Sequence, residues 1–373
     1  MYDITSKSGG EFLADEEIDA ALTGEGDLPA ILTKAGSGAG LTHREALALM
    51  LSEEPTAKLS EKLRREYFAG SVNICVPIGA NESTASLKLR ADGIASVGHR
   101  NLLLSLTDCA DGRGADAVRT LLSIKSGKNH IRRVDVSLSG ETNIEALRGL
   151  CEAGAATIIF PAESPASDLA KEAGCADVGL EYCFTSENYL RGLALLLMHA
   201  GHLTALGGYG ARIFVLKRSS ELPEDIFARI CQVVRIAQPQ SAIMIGGDGS
   251  EASLSDSATT LLLDPAQESP DRAANRLIRR GILPSFCSAC KSCGRTGAEF
   301  FGCVREGQLH NFCYLNALLS LKEFLADFAA QDTRIVGTDL ILKELYNIGN
   351  ADVRAIIVRT LKDIRNGKRD FSI

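Results

Sequence analysis

The sequence predicts a (β/α)8 barrel of the TIM type, and three observations carry that prediction. From about residue 71, short apolar segments rich in Val, Ile and Leu alternate with segments of helical period, and eight such cycles can be counted. The strand segments are short and largely apolar, as parallel strands covered on both faces should be. Several helical segments close on glycine (Gly98, Gly154, Gly174 and Gly281), the residue best able to end a helix in the left-handed conformation. An open, doubly wound sheet would show fewer strands and a Gly-rich phosphate loop after the first. GGYG (207–210) and GGDGS (246–250) are Gly-rich but have neither the dinucleotide nor the phosphate-loop spacing, and they read as turns.

Taken in order, residues 1–40 are rich in Gly, Ser and acidic residues and read as loosely ordered. Residues 41–68 have helical spacing. Thr42 stands three residues before Glu45, a capping-box pattern, and Pro55 separates two helices. Strands are expected at 71–78, 101–107, 132–139, 156–162, 177–183, 211–217, 241–247 and 259–264. Helices are expected between and after them at 84–98, 115–126, 143–153, 166–173, 187–205, 223–237, 250–257 and 270–280. Glu224 and Asp271 follow prolines at helix starts, where an acidic side chain suits the helix dipole. A Cys-rich loop (282–313) and two helices (316–329 and 352–367) complete the chain. The organisation is therefore an N-terminal extension with helices (1–70), a barrel (71–281) and a C-terminal cluster-binding extension (282–373).

Composition excludes several classes. The 373 residues are 45% hydrophobic and 23% charged, with a net charge of −7 and no Lys/Arg block, so no nucleic-acid footprint is present. The most apolar stretch, 192–198, is too short to cross a bilayer. The first twenty residues have no apolar signal region and are too acidic for a transit peptide, so a cytoplasmic protein is expected.

Eleven cysteines argue for metal or redox chemistry, because a reducing compartment disfavours a disulfide framework. Cys75, Cys109, Cys151, Cys175, Cys183 and Cys231 are scattered, and read as small buried hydrophobes. The other five fall between Cys287 and Cys313. Cys287 and Cys290 form a C-x2-C step, and Cys313 follows after twenty-two more residues. Two thiolates so spaced reach one metal from a single tight loop, and a distant third closes the site. Cys293 and Cys303 lie between and offer a fourth ligand. Soft thiolates select zinc or an iron–sulfur cluster. A four-cysteine zinc site pairs two C-x2-C knuckles, and here the second is missing. An iron–sulfur cluster is the expectation, with a zinc-stabilised structural protein as the alternative.

Elsewhere, Asp108, Cys109, Glu163, Glu181, Arg218, Asp248 and Asp264 fall at the C-terminal ends of the expected strands, where barrels carry chemistry. They are candidates for a small-molecule pocket, against the reading as capping and solvated loop acids. His199 and His202, three apart on an expected helix, read as packing or solvent-facing residues rather than as metal ligands.

The run PSFCSACKSCGRTG, the twenty-two-residue gap, NFCYLNALLSLKEFLADF and the ending DIRNGKRDF resemble the C-terminal region of the HydG family. These are the radical SAM tyrosine lyases that mature FeFe-hydrogenase, related to the thiamine-pathway enzyme ThiH. GLTHREALALML, GHRNLLLSL, GYGARIFVLKR and RICQVVRIAQP carry the resemblance more weakly along the chain. It implies a radical SAM type barrel with a C-terminal cluster, a 4Fe-4S centre held by Cys287, Cys290 and Cys313. Two features depart from the family. Radical SAM enzymes hold their catalytic cluster on C-x3-C-x2-C after the first strand, whereas here that loop is GANES (79–83), Cys75 lies within the strand, and the next cysteine is Cys109. SAM is therefore not expected as a cofactor. Arg212 stands where the family places a histidine on an additional iron, and a guanidinium has no lone pair to give. Cys293 is a gain: as a fourth ligand it would close the cluster. The expectation is a HydG-like protein without radical chemistry that acts in hydrogenase-type cofactor assembly as scaffold, carrier or partner of maturation proteins or a client metalloenzyme. The alternative is a lyase or transferase using an open iron as Lewis acid in the barrel cavity.

Overall fold

The computed structural model describes most of residues 15–284, with short breaks, and five positions between 355 and 366. Four helices precede the barrel: α1 (Asp15–Leu22), α2 (Leu28–Gly36), α3 (His43–Leu51) and α4 (Ala57–Phe68). The first two correct the expectation of loose order over residues 15–36; residues 1–14 lie outside the described residues. Asp27 caps α2 by accepting from the Ala30 N–H, and Pro29 sits in its first turn. Ile18, Ile31 and Ala35 are buried, which ties both helices to the core despite the polar composition around them. The Thr42–Glu45 capping box forms as expected: Glu45 N–H donates to Thr42 Oγ1 (3.3 Å) and Thr42 N–H to Glu45 Oε2 (2.8 Å). At the other end of α3, the Arg229 guanidinium collects the carbonyls of Leu49, Met50 and Ser52, which have no helical partner.

The expected strands all form: β1 (Ser71–Gly79), β2 (Asn101–Leu106), β5 (Arg133–Leu138), β6 (Ile158–Pro161), β7 (Val178–Phe184), β8 (Ile213–Arg218), β9 (Ala242–Gly246) and β10 (Thr260–Leu262). Each pairs in parallel with the next, and β10 returns to β1 through Asn73↔Thr260, which closes an eight-stranded barrel. Helices α5 (Thr84–Ser96), α6 (Arg113–Leu122), α7 (Ile144–Ala153), α8 (Ser167–Glu172), α9 (Tyr189–Ala205) and α10 (Glu224–Ala237) fill the first six crossovers, and the helix expected at 250–257 lies mostly outside the described residues. A short hairpin, β3 (Lys125–Ser126) with β4 (Asn129–His130), lies between α6 and β5, and its two-residue strands left no sequence pattern to read. A two-residue strand, β11 (Leu283–Pro284), adds to the start of β1. Among the described residues, no helix is long and apolar enough to cross a membrane.

Alternate strand residues face opposite sides, and this sorts the core into two parts. Val134, Val136 and Leu138 of β5, with Leu180, Phe184, Phe214 and Leu216, pack outward under the helices. Cys75, Leu103, Ile159, Ile213, Val215, Ala242, Met244 and Leu262 form a separate apolar layer across the barrel interior. Glycine is required at Gly192 of α9, where a Cβ would overlap the Tyr182 ring. Gly154 and Gly174 end their helices with φ of 109° and 76°, as the helix-stop reading anticipated.

Of the two readings of His199 and His202, packing holds and solvent-facing does not. Both are buried in the seam between α8 and α9. The Ala162 carbonyl lies 2.8 Å from His199 Nδ1 and can only accept, so Nδ1 carries the hydrogen and Nε2 accepts from Ser167 Oγ at 2.5 Å. His202 Nε2 meets Asp168 at 2.9 Å. Burial, reinforced by His202, holds His199 down to a pKa of about 4. Because the unfolded chain takes up this proton near 6.5 and the folded one does not, stability falls as pH drops from about 6.5 towards 4. Between about pH 7 and pH 5, denaturant unfolding should show roughly 2 kcal/mol less dependence on pH in His199→Gln than in the parent. An equal dependence in the two would contradict a neutral, buried His199.

Candidate active site at the barrel mouth

The apolar layer divides the barrel interior into a polar floor at the strand N-termini and a polar mouth at their C-termini. On the floor, Arg133 of β5 is bound bidentately by Asp135 (2.6 and 2.8 Å), and it also donates to Thr157 Oγ1 (2.9 Å). All three are buried. Nearby, Arg212 pairs with Asp177 at 3.2 Å. Burial raises the Asp177 pKa, against the opposing pull of Arg212 and Arg133. Burial, then the Asp135 charge, pushes the Cys75 thiol well above its ordinary value, so it sits in the interior as a neutral thiol. The charged groups of the floor are each matched by a neighbour of opposite sign, which is the arrangement of a structural plug.

The mouth is different. Ser137 of β5, Glu181 of β7 and Lys217 of β8 point inward, one layer above the apolar residues. Lys217 Nζ donates to Glu181 Oε1 at 2.5 Å, and Ser137 Oγ donates to Glu181 Oε2 at 3.0 Å. Both carboxylate oxygens are thereby held. Ser137 is buried, the Glu181 side chain is 21% exposed and that of Lys217 is 39%, so the cluster opens outward through the lysine. Cys183, exposed, pairs in register with Lys217 and lies on the same inward-facing set as Glu181. Two strand-end glycines leave room. A Cβ at Gly246 would stand 3.9 Å from Lys217 Cγ, and one at Gly79 would meet no described atom within 4 Å.

Of the rim residues read from the sequence, Glu181 is central to this cluster and Glu163 is exposed just after β6. Arg218 turns aside to the Leu222 carbonyl (2.8 Å). Asp108, Cys109, Asp248 and Asp264 lie outside the described residues, as do the expected cluster ligands Cys287, Cys290, Cys293 and Cys313, together with Cys303. Among the described residues, no group of three or more His, Cys, Asp or Glu is assembled as a metal site. Sequence reading missed Ser137 and Lys217. The one visible signal is for Lys217, a charged residue near the end of the otherwise apolar run IFVLK, whereas Ser137 in RRVDVSLS gives none.

The scattered cysteines divide. Cys75 and Cys231 are the buried small residues expected. Cys183 is exposed instead, because it faces the open mouth. Cys151 and Cys175 are also a correction: they are bonded to one another, with Cα atoms 5.9 Å apart, because the ends of α7 and α8 lie side by side.

Fold and mouth together define a (β/α)8 barrel with its polar cluster at the strand C-termini, the end where such barrels place chemistry. Two solved structures share the architecture over nearly the whole chain. One is a HydG maturase of FeFe-hydrogenase, matched with a TM-score of 0.81 at 24% identity, covering 97% of this chain and 100% of that one. The other is HydG from Carboxydothermus hydrogenoformans, with a TM-score of 0.76 at 17% identity, covering 95% and 100%. No family model matches the chain, and no curated protein matches it by sequence.

Proposed function

We propose that the chain is an iron–sulfur protein of HydG-like fold that serves metal-cofactor assembly of the hydrogenase type, in the cytoplasm, as scaffold, carrier or partner of a maturase, without radical SAM chemistry. One observation carries the reading: a fold shared with HydG along 97% of the chain combines with a first βα connection that has no cysteine. β1 ends at Gly79 and α5 starts at Thr84, and residues 80–83 read ANES. Cys75 does not substitute, since its side chain is 1% exposed within the apolar layer. The residues present therefore do not fit a SAM-binding cluster. At the other end of the chain, Cys287, Cys290 and Cys313, with Cys293 as fourth ligand, supply the soft thiolate set that a 4Fe-4S cluster takes.

A second reading, an enzyme working in the barrel cavity with an open cluster iron as Lewis acid, draws support from the Ser137–Glu181–Lys217 mouth. The loss of radical chemistry is tested in one assay. Anaerobic, dithionite-reduced protein mixed with SAM should bind none of it and release no 5′-deoxyadenosine. Formation of 5′-deoxyadenosine dependent on the protein would overturn the loss of radical chemistry.

A further inference from the structure

We propose that Lys217 is an imine-forming amine that captures a small, uncharged aldehyde or ketone at the barrel mouth, with Glu181 as its proton carrier. The proposal is independent of the cysteine-rich segment. A lysine ammonium becomes a nucleophile once a neighbour takes its proton, and this is the chemistry of Schiff-base lysines. Lys217 has that neighbour at 2.5 Å, and Ser137 fixes the other carboxylate oxygen so that Glu181 keeps its aim. The pair stands inside the barrel at the strand C-termini, above a closed apolar layer. A solvated surface ion pair has no such walls.

Space and charge point to the ligand class. Among the described residues, a Cβ at Gly246 on the neighbouring strand would only just touch the Lys217 stem, at 3.9 Å, and one at Gly79 would meet no atom within 4 Å. The lysine charge is already matched by Glu181. An anionic substrate would find no surplus positive charge in this pair, whereas a neutral carbonyl compound needs none.

The step balances without an oxidant or reductant. Glu181 takes a proton from the Lys217 ammonium, and the free amine attacks the carbonyl carbon, forming the C–N bond. Glu181 returns that proton to the alkoxide oxygen and then carries a second one from the new C–N nitrogen to the hydroxyl, which leaves as water as the nitrogen lone pair forms the C=N bond. The sum is ammonium plus carbonyl giving protonated imine plus water. This proton traffic between donor and acceptor in direct contact is general acid–base catalysis.

The test uses the full-length protein, purified without air, incubated briefly with glycolaldehyde and quenched with sodium borohydride, which reduces an imine to a stable secondary amine. Peptide mapping by mass spectrometry should place the adduct on Lys217 ahead of the exposed Lys62 and Lys88. Glu181→Gln should slow its formation by about a hundredfold. Lys217→Arg, which keeps a cation beside Glu181 and is checked by its melting profile, should remove the adduct without changing labelling elsewhere. Cys183→Ser should leave the adduct in place. Labelling of Lys217 no faster than of Lys62 and Lys88, or an adduct that Glu181→Gln leaves unaffected, would overturn the proposal. The wild-type map reads Lys217 directly, so the test holds even if Lys217→Arg fails to fold.

Discussion

Asp135→Ala is expected to destabilise the protein by about 3–5 kcal/mol, the effect of removing one partner from a buried ion pair. Arg133 is 6% exposed and Asp135 2%, and their two-point contact is the main compensation for a charge buried in the barrel floor. After truncation, the guanidinium keeps the Thr157 hydroxyl at 2.9 Å and the more distant charge of Asp177. Neither replaces a bidentate carboxylate. The same logic makes the double variant Arg133→Met/Asp135→Leu milder than Asp135→Ala, since it removes both charges and fills the space with apolar atoms. Urea unfolding of the three proteins measures this. A loss below about 1 kcal/mol for Asp135→Ala would mean the floor is wet rather than sealed.

The strands were legible in the sequence because burial on both faces leaves most of them largely apolar, as in SVNICVPI and SAIMIGG. The barrel therefore followed from counting. The mouth did not. Lys217 lies 36 residues from Glu181, and Ser137 lies 44 from it, so their contacts exist only through strand register and closure. Glu181 could be placed at a strand end by counting, but its partners could not. The same holds for Cys151 and Cys175, 24 residues apart at two helix ends that become neighbours only when βα units pack side by side. Helices α1 and α2 were hidden for another reason. Each offers few buried residues, Ile18 in one and Ile31 and Ala35 in the other, among Gly, Ser and acids that read as loop.

Under the proposed iron–sulfur reading, loss of the cluster on substitution of Cys290 is the second large expected effect. In that reading Cys287 and Cys290 form one C-x2-C step and Cys313 follows after twenty-two more residues, so Cys290→Ala breaks the step and leaves Cys287 with Cys293 only at a wider C-x5-C spacing. That variant should retain little iron or sulfide. Cys293→Ala is the finer probe. A fourth thiolate makes the cluster a closed one, suited to a carrier or electron-transfer role, whereas three thiolates leave an iron free to take a ligand. The Cys290–Cys293 step repeats the C-x2-C spacing, and ferredoxin runs wrap clusters with that same repetition.

The closed iron–sulfur centre is tested most directly by iron, sulfide and zinc analysis, with EPR of the reduced protein, on anaerobically purified wild type beside Cys293→Ala. The expected result is about four iron and four sulfide per chain, and a reduced-cluster signal altered by the substitution. Zinc without sulfide would contradict it and leave a structural metal site. Iron and sulfide with an identical signal in Cys293→Ala would contradict the closed cluster and return the chain to the enzyme reading.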